Sequence, residues 1–151
     1  ALLDARFFQS GMQTLRQIEF ALFDLNIHEQ NPALNAEQIQ HVLNDIRKQY
    51  SVVPTTSYNR FQNSFSHIFA GGYAAGYYSY KWAEVLASDA FDRFENEGIF
   101  NVETGKEFRQ FILAVGGKDT ALDAFINFRG REPKIDALLR HQGWTNTNKS
   151  A

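Results

Sequence analysis

The stretch that could carry chemistry runs Phe65-Ser66-His67-Ile68-Phe69-Ala70-Gly71-Gly72-Tyr73-Ala74-Ala75-Gly76-Tyr77-Tyr78-Ser79-Tyr80-Lys81-Trp82. On a helix advancing about 100° per residue, Tyr73, Tyr77 and Tyr80 stand at about 0°, 40° and 340°, so three phenol hydroxyls would line one edge. A phenol with a reference pKa of about 10 is a proton donor at neutral pH, the kind of group that meets an oxyanion or a peptide carbonyl. The small residues Ala74, Ala75, Gly76 and Ser79 would let a ligand or a second backbone approach closely. Gly71-Gly72 gives the preceding segment freedom to move. With the His67 imidazole at the base of that segment, the pattern points to a site for peptide or carbonyl groups. The competing reading is an amphipathic helix whose tyrosines pack inward with their hydroxyls at the surface.

Metal chemistry finds no support within the chain. His28-Glu29 opens a His-Glu-x-x-His pattern, which on a helix would set two imidazoles around zinc, but Pro32 stands where the second histidine is required. His28 reads as a polar residue at a helix end, His41 lies on the polar side of its helix, and His141 sits near a helix C-terminus, where a cation suits the dipole. There is no cysteine, so thiol nucleophiles, thiolate metal sites and disulfides are excluded.

The elements that must position these groups are helical. Across 151 residues with 44% hydrophobic content, apolar residues recur at helical spacing and sustained period-two alternation is absent, which predicts an all-α, multi-helix fold. A net charge of −2 gives no electrostatic bias toward nucleic acid or an anionic membrane, and no apolar run approaches the roughly 18 residues of a membrane span. The content of 14 Phe, 6 Tyr and 2 Trp is high for a chain of this size. The N-terminal Ala1 to Phe8 reads as part of a helix with no start signal, which suggests a chain cut from something longer.

Met12, Leu15, Ile18, Leu22 and Leu25 form a stripe from Gly11 to His28, widened by Phe20, Phe23 and Ile27, and suggest a central helix. Asn31-Pro32 breaks the pattern. Asn35 and Gln38 form a capping box for a helix through Tyr50, with Ile39, Val42, Leu43 and Ile46 inward. Residues 51–66 read as a long loop, of the kind that compact domains keep for function. A helix is predicted from about Gly71-Gly72 to Glu97, ended by Gly98. Then follow a helix from Thr104 to Ala114, one capped by Asp119 and ended by Gly130, and one with Pro133 in its first turn and Gly143 at its end. One domain over residues 1–144 and a polar tail over 145–151 are expected.

The tyrosine stretch, with Tyr77-Tyr78-Ser79-Tyr80-Lys81-Trp82 at its end, resembles the zinc metallopeptidases of the thimet oligopeptidase family. So do Leu15-Arg16-Gln17-Ile18-Glu19, Gly116-Gly117 and Gly130-Arg131-Glu132-Pro133-Lys134-Ile135-Asp136-Ala137-Leu138-Leu139, and the likeness spans the whole chain. The resemblance implies a C-terminal piece of a cytoplasmic oligopeptidase that acts on short peptides. Zinc and its ligands would lie upstream, in a missing N-terminal and metal-bearing part, with none in this chain. It implies that His67, Tyr73 and Tyr80 face the scissile peptide, with Tyr77 as a further substrate contact, and that the segment bearing Gly71 and Gly72 closes over the substrate. The reaction implied is attack of a zinc-bound water on the peptide carbonyl, with Tyr80 donating to the developing oxyanion and Tyr73 and His67 assisting. On this reading the isolated chain is inactive, and neither nucleic acid nor membrane is a partner. The rival reading is a non-enzymatic helical module that binds a peptide or protein through its tyrosine edge and the 51–66 loop.

Overall fold

A computed structural model describes residues 2–30 and 32–145. Helix is the only regular secondary structure among them, as expected. The chain divides into two compact units, Ala1–Lys81 and Trp82–Ala151. Ala1, Asn31 and most of the polar tail lie outside the described residues, so the helix start, the Asn31 half of the Asn31-Pro32 break and the tail beyond Thr145 are not described further.

In the first unit α1 spans Leu2–Phe7, α2 Ser10–His28 and α3 Ala36–Tyr50. The start of α3 is the expected capping box: the Asn35 side chain accepts from the Gln38 amide and the Gln38 side chain accepts from the Asn35 amide, both at 2.9 Å. Such a box is worth about 1 kcal/mol relative to alanine at the cap. The face that α2 buries centres on two of the residues expected to widen the stripe, not on the stripe itself. Met12, Leu15, Ile18, Leu22 and Leu25 are only half-buried, whereas Phe20 and Phe23 are buried with the acids Glu19 and Asp24. Phe20 and Phe23 join Leu43, Ile46, Phe65 and Ile68 in one core, with Ile39, Val42, Phe61 and Tyr77 packed around it. Phe61 stacks on Phe20 at 4.7 Å between ring centroids.

The long loop is shorter than expected. It runs over 51–60 and gives way to a 3₁₀ turn, Phe61–Ser64, and a single helical turn α4, Ser66–Phe69. A buried ion pair holds it: Arg47 Nε donates to Glu19 Oε1 at 2.8 Å, while Arg47 Nη1 donates to Asn59 Oδ1 at 3.0 Å. The same Asn59 oxygen accepts the Phe61 amide at 3.1 Å, so one guanidinium ties α2, α3 and the loop together.

Helix α5, Ser79–Glu97, starts seven residues later than the glycine pair that was expected to open it. Its first residues belong to the first unit and the rest to the second. There, Ala90, Phe125 and Phe128 form a core with Leu86, Phe94, Phe108, Phe111 and Ile112 around it. Helix α6, Val102–Phe108, is capped by the Asn101 side chain and passes into a π turn, Arg109–Leu113, rather than continuing as one helix to Ala114. Helix α7, Ala121–Arg129, is capped by Thr120, whose hydroxyl accepts the Asp123 amide at 3.1 Å; Asp119 lies one residue too early to serve. Gly130, at φ +71°, ends α7 as expected. Helix α8, Asp136–His141, begins after Pro133, which therefore lies outside its first turn. The segment before it is held by Asp89, which accepts from Arg131 at 2.6 and 2.7 Å and from the Lys134 amide at 2.7 Å.

Candidate functional site

His67, Tyr73, Tyr77 and Tyr80 come together, though not along a helix edge. Of the three tyrosines only Tyr80 is helical; Tyr73 and Tyr77 lie in the turns between α4 and α5. The ring of His67 on α4 is 6.3 Å from that of Tyr73, 6.1 Å from Tyr77 and 6.5 Å from Tyr80. Tyr80 lies 5.8 Å from Tyr73 and 5.0 Å from Tyr77. Three phenol rings thus converge on one imidazole within the separations typical of aromatic contact.

The members differ in what their polar atoms can do. Tyr77 is half-buried against Phe65 and Phe20, and its hydroxyl donates to Gln17 Oε1 at 3.1 Å. Tyr77 is therefore the anchor of the cluster. His67 is exposed, and Tyr73 and Tyr80 are 44% and 41% exposed, so these three present an open polar face above it. Burial of the Tyr80 hydroxyl, and then the Tyr73 phenol beside it, push the Tyr80 pKa above its ordinary value. Burial, followed by Tyr80, does the same to Tyr77 against an opposing pull from Arg16. A phenol is a neutral donor at physiological pH already, and the shift acts in the same direction.

The backbone that sets these positions is closely determined. The Tyr73 amide donates to the His67 carbonyl at 3.2 Å and the Gly71 amide to the Ser66 carbonyl at 2.9 Å. Gly71 has no room for a side chain, since a Cβ there would lie 2.8 Å from the His67 carbonyl oxygen. Gly72 has open space but a φ of +77°. Both glycines therefore meet a structural requirement in addition to any freedom they confer.

Sequence reasoning missed Asp24 and Gln17. Asp24 of α2 is fully buried and accepts the Ala75 amide on Oδ1 at 2.9 Å and the Tyr77 amide on Oδ2 at 2.8 Å. The available signal was an acid set directly after Phe23 on the apolar side of α2, a place where a carboxylate needs buried donors. The remaining histidines stand near their expected places. His28 Nδ1 lies 2.9 Å from Asp24 Oδ1, His41 pairs with Asp45 at 3.0 Å on an exposed surface, and His141 pairs with Glu95 at 3.0 Å. Among the described residues, no group of three His, Cys, Asp or Glu side chains is arranged to hold a metal ion.

The described residues thus form an all-helical fold with an imidazole among tyrosines beside a glycine-bearing turn, and family comparison gives the class of protein. Residues 1–144 match the model of Peptidase family M3, and the chain belongs to that family. It is similar to Oligopeptidase A of Escherichia coli (strain K12), 53% identical over 142 residues that make up 94% of this chain and 21% of that protein. It is 51% identical over 146 residues to the Probable cytosolic oligopeptidase A of Arabidopsis thaliana, covering 94% of this chain and 21% of the relative. Saccharolysin of Saccharomyces cerevisiae is 33% identical over 147 residues, 97% of this chain and 20% of that protein. The chain thus spans about a fifth of the length of these relatives.

Proposed function

We propose that this chain is the C-terminal, substrate-binding part of a zinc oligopeptidase that hydrolyses short peptides. The observation that carries the reading is the convergence of Tyr73 and Tyr80 on the exposed His67 ring, with Tyr77 engaged beneath them by Gln17. Tyr80, a neutral phenol, donates a hydrogen bond to the carbonyl oxygen of the scissile peptide and strengthens it as that oxygen becomes negative. Tyr73 and His67 hold the same peptide group, and the segment from Ser66 to Gly72 borders it.

The described residues of this chain do not fit zinc, so its ligands belong to the metal-bearing part of the longer polypeptide, which is the chain's principal partner. When bound there, the metal supplies the activated water that a hydrolase of this kind needs. The isolated chain is then inactive. The cytoplasm is the proposed location, in keeping with the cytosolic designation of the Arabidopsis relative. No helix among the described residues is long and apolar enough to cross a membrane.

The test is Tyr80→Phe in the longer peptidase. Loss of one oxyanion donor should lower kcat by about 10²–10³ with little change in KM, because the bond matters chiefly in the transition state. An unchanged kcat would mean that the ring serves packing alone.

A further inference from the structure

The tyrosine turn is held from below by one carboxylate. Asp24 has no exposed surface, and it reaches 51 and 53 residues along the chain to receive two backbone amides, those of Ala75 and Tyr77, one on each oxygen. His28 Nδ1 lies 2.9 Å from Asp24 Oδ1 and 2.8 Å from the Asp24 carbonyl oxygen, one turn along α2. Between the two clamped amides, the Gly76 amide donates to the Tyr73 carbonyl at 2.8 Å. Ala75 has a φ of +54°, a left-handed conformation that costs a non-glycine residue roughly 1–2 kcal/mol. A strained residue persists only where its surroundings over-determine it, and here the surroundings are the Asp24 carboxylate. The carboxylate has two acceptor oxygens, and each takes one of the two amides.

We propose that Asp24 is a positioning residue for the substrate face: by binding the Ala75 and Tyr77 amides it fixes the turn that aims Tyr73 and Tyr80 at the space beside His67. It touches no substrate and acts through these tyrosines. The proposal rests on the peptide-binding reading of the tyrosines and adds to it the element that keeps them in register. Relaxation of Ala75 to an ordinary φ would rotate the chain between Tyr73 and Tyr77 and part the two phenols that meet the carbonyl. A misplacement on the order of 1 Å at such a site can cost about 10²-fold in rate.

The experiment uses Asp24→Asn, which keeps the shape but has a single acceptor oxygen, in both this chain and the longer peptidase. In this chain, backbone amide exchange followed by NMR should show Ala75 and Tyr77 protected in the wild type. In the variant, their exchange should rise at least about tenfold while the Leu43 and Ile46 amides of the core hold. In the longer peptidase, Asp24→Asn should lower kcat roughly 10- to 100-fold with KM within about threefold of the parent. Adding Ala75→Gly, which makes the left-handed conformation available without strain, should restore part of the lost kcat; a residue that serves stability alone would not respond in this way. Freely exchanging Ala75 and Tyr77 amides in the wild type would overturn the proposal even if the variant does not fold. So would a folded Asp24→Asn enzyme with wild-type kcat. A Tyr80→Phe enzyme measured alongside separates the two levels: if it is fully active, the peptide-carbonyl reading fails, and if it is impaired while Asp24→Asn is not, only the role of Asp24 fails.

Discussion

Gly71→Ala should destabilise the chain, although residue 71 is exposed and alanine is ordinarily the safest substitution for glycine. The new Cβ would lie 2.8 Å from the His67 carbonyl oxygen, 3.1 Å from its Cα and 3.3 Å from its carbonyl carbon, all backbone atoms. The His67 peptide cannot swing aside freely, because its carbonyl accepts the Tyr73 amide and its residue sits on α4. Forcing a methyl into such a contact costs about 1–3 kcal/mol. Gly72→Ala should cost a similar amount for another reason: space is open there, but φ is +77°, worth about 1–2 kcal/mol against alanine. Asparagine separates the two causes, since it tolerates left-handed backbone but is larger than alanine. Gly72→Asn should recover part of the loss, and Gly71→Asn none. Guanidinium unfolding of the chain followed by far-UV circular dichroism measures all four. A Gly71→Ala chain within about 0.5 kcal/mol of the parent, the usual range for an innocuous surface change, would refute the close-approach reasoning and return the pair to the role of a simple hinge.

Three further outcomes follow from the charges and phenols. Burial raises the Asp89 pKa, but Arg131, the Lys134 amide and Arg129 outweigh it and hold the carboxyl below its usual range; Asp92 and Glu95 are likewise lowered, through Arg140 with Arg129 and through His141 with Arg140. Their stabilisation is therefore present above the unfolded carboxylate range of about 4 and is lost as pH falls through the depressed values. Asp89→Asn should cost about 3 kcal/mol at neutral pH and flatten that acid dependence, as urea unfolding at several pH values would show. On the alkaline side, the raised phenols of Tyr77 and Tyr80 should ionise later than free tyrosine, whose pKa is about 10, and stability should fall as pH rises past that value because the unfolded phenols lose their protons first; ultraviolet titration of tyrosinate reads both. Finally, metal analysis of the dialysed chain should find no stoichiometric zinc, and one tight zinc per chain would contradict the assignment of the ligands to another part of the polypeptide.

What could be read from the residues alone was whatever depends on local chemistry. Asn35 and Gln38 cap α3 by a contact three residues apart, Gly130 ends α7 through its own φ, and the residue types His67, Tyr73 and Tyr80 name the donors of the candidate site. What escaped depends on partners distant in the chain. The expected helix through Tyr73 and Tyr77 does not form, because Asp24, some fifty residues earlier, takes the Ala75 and Tyr77 amides that a helix would have used. The tyrosines still meet, by a turn rather than by a helical edge. In α2 periodicity marks the stripe from Met12 to Leu25 and Phe20 and Phe23 as its widening, whereas the buried face centres on Phe20 and Phe23, where the adjoining acids Glu19 and Asp24 find buried partners. Thr120 rather than Asp119 caps α7, a one-residue shift of the kind that helix boundaries commonly show.

The claim that these aromatic donors receive a peptide carbonyl is tested most directly by the structure of the longer peptidase with a phosphinic peptide bound, whose phosphinyl oxygens stand in for the tetrahedral oxyanion. The account expects the Tyr80 hydroxyl within about 2.7–3.1 Å of a phosphinyl oxygen, with Tyr73 or His67 on the same tetrahedral group or the adjoining peptide unit. A phosphinic group bound with Tyr80, Tyr73 and His67 all turned away from it would contradict the account.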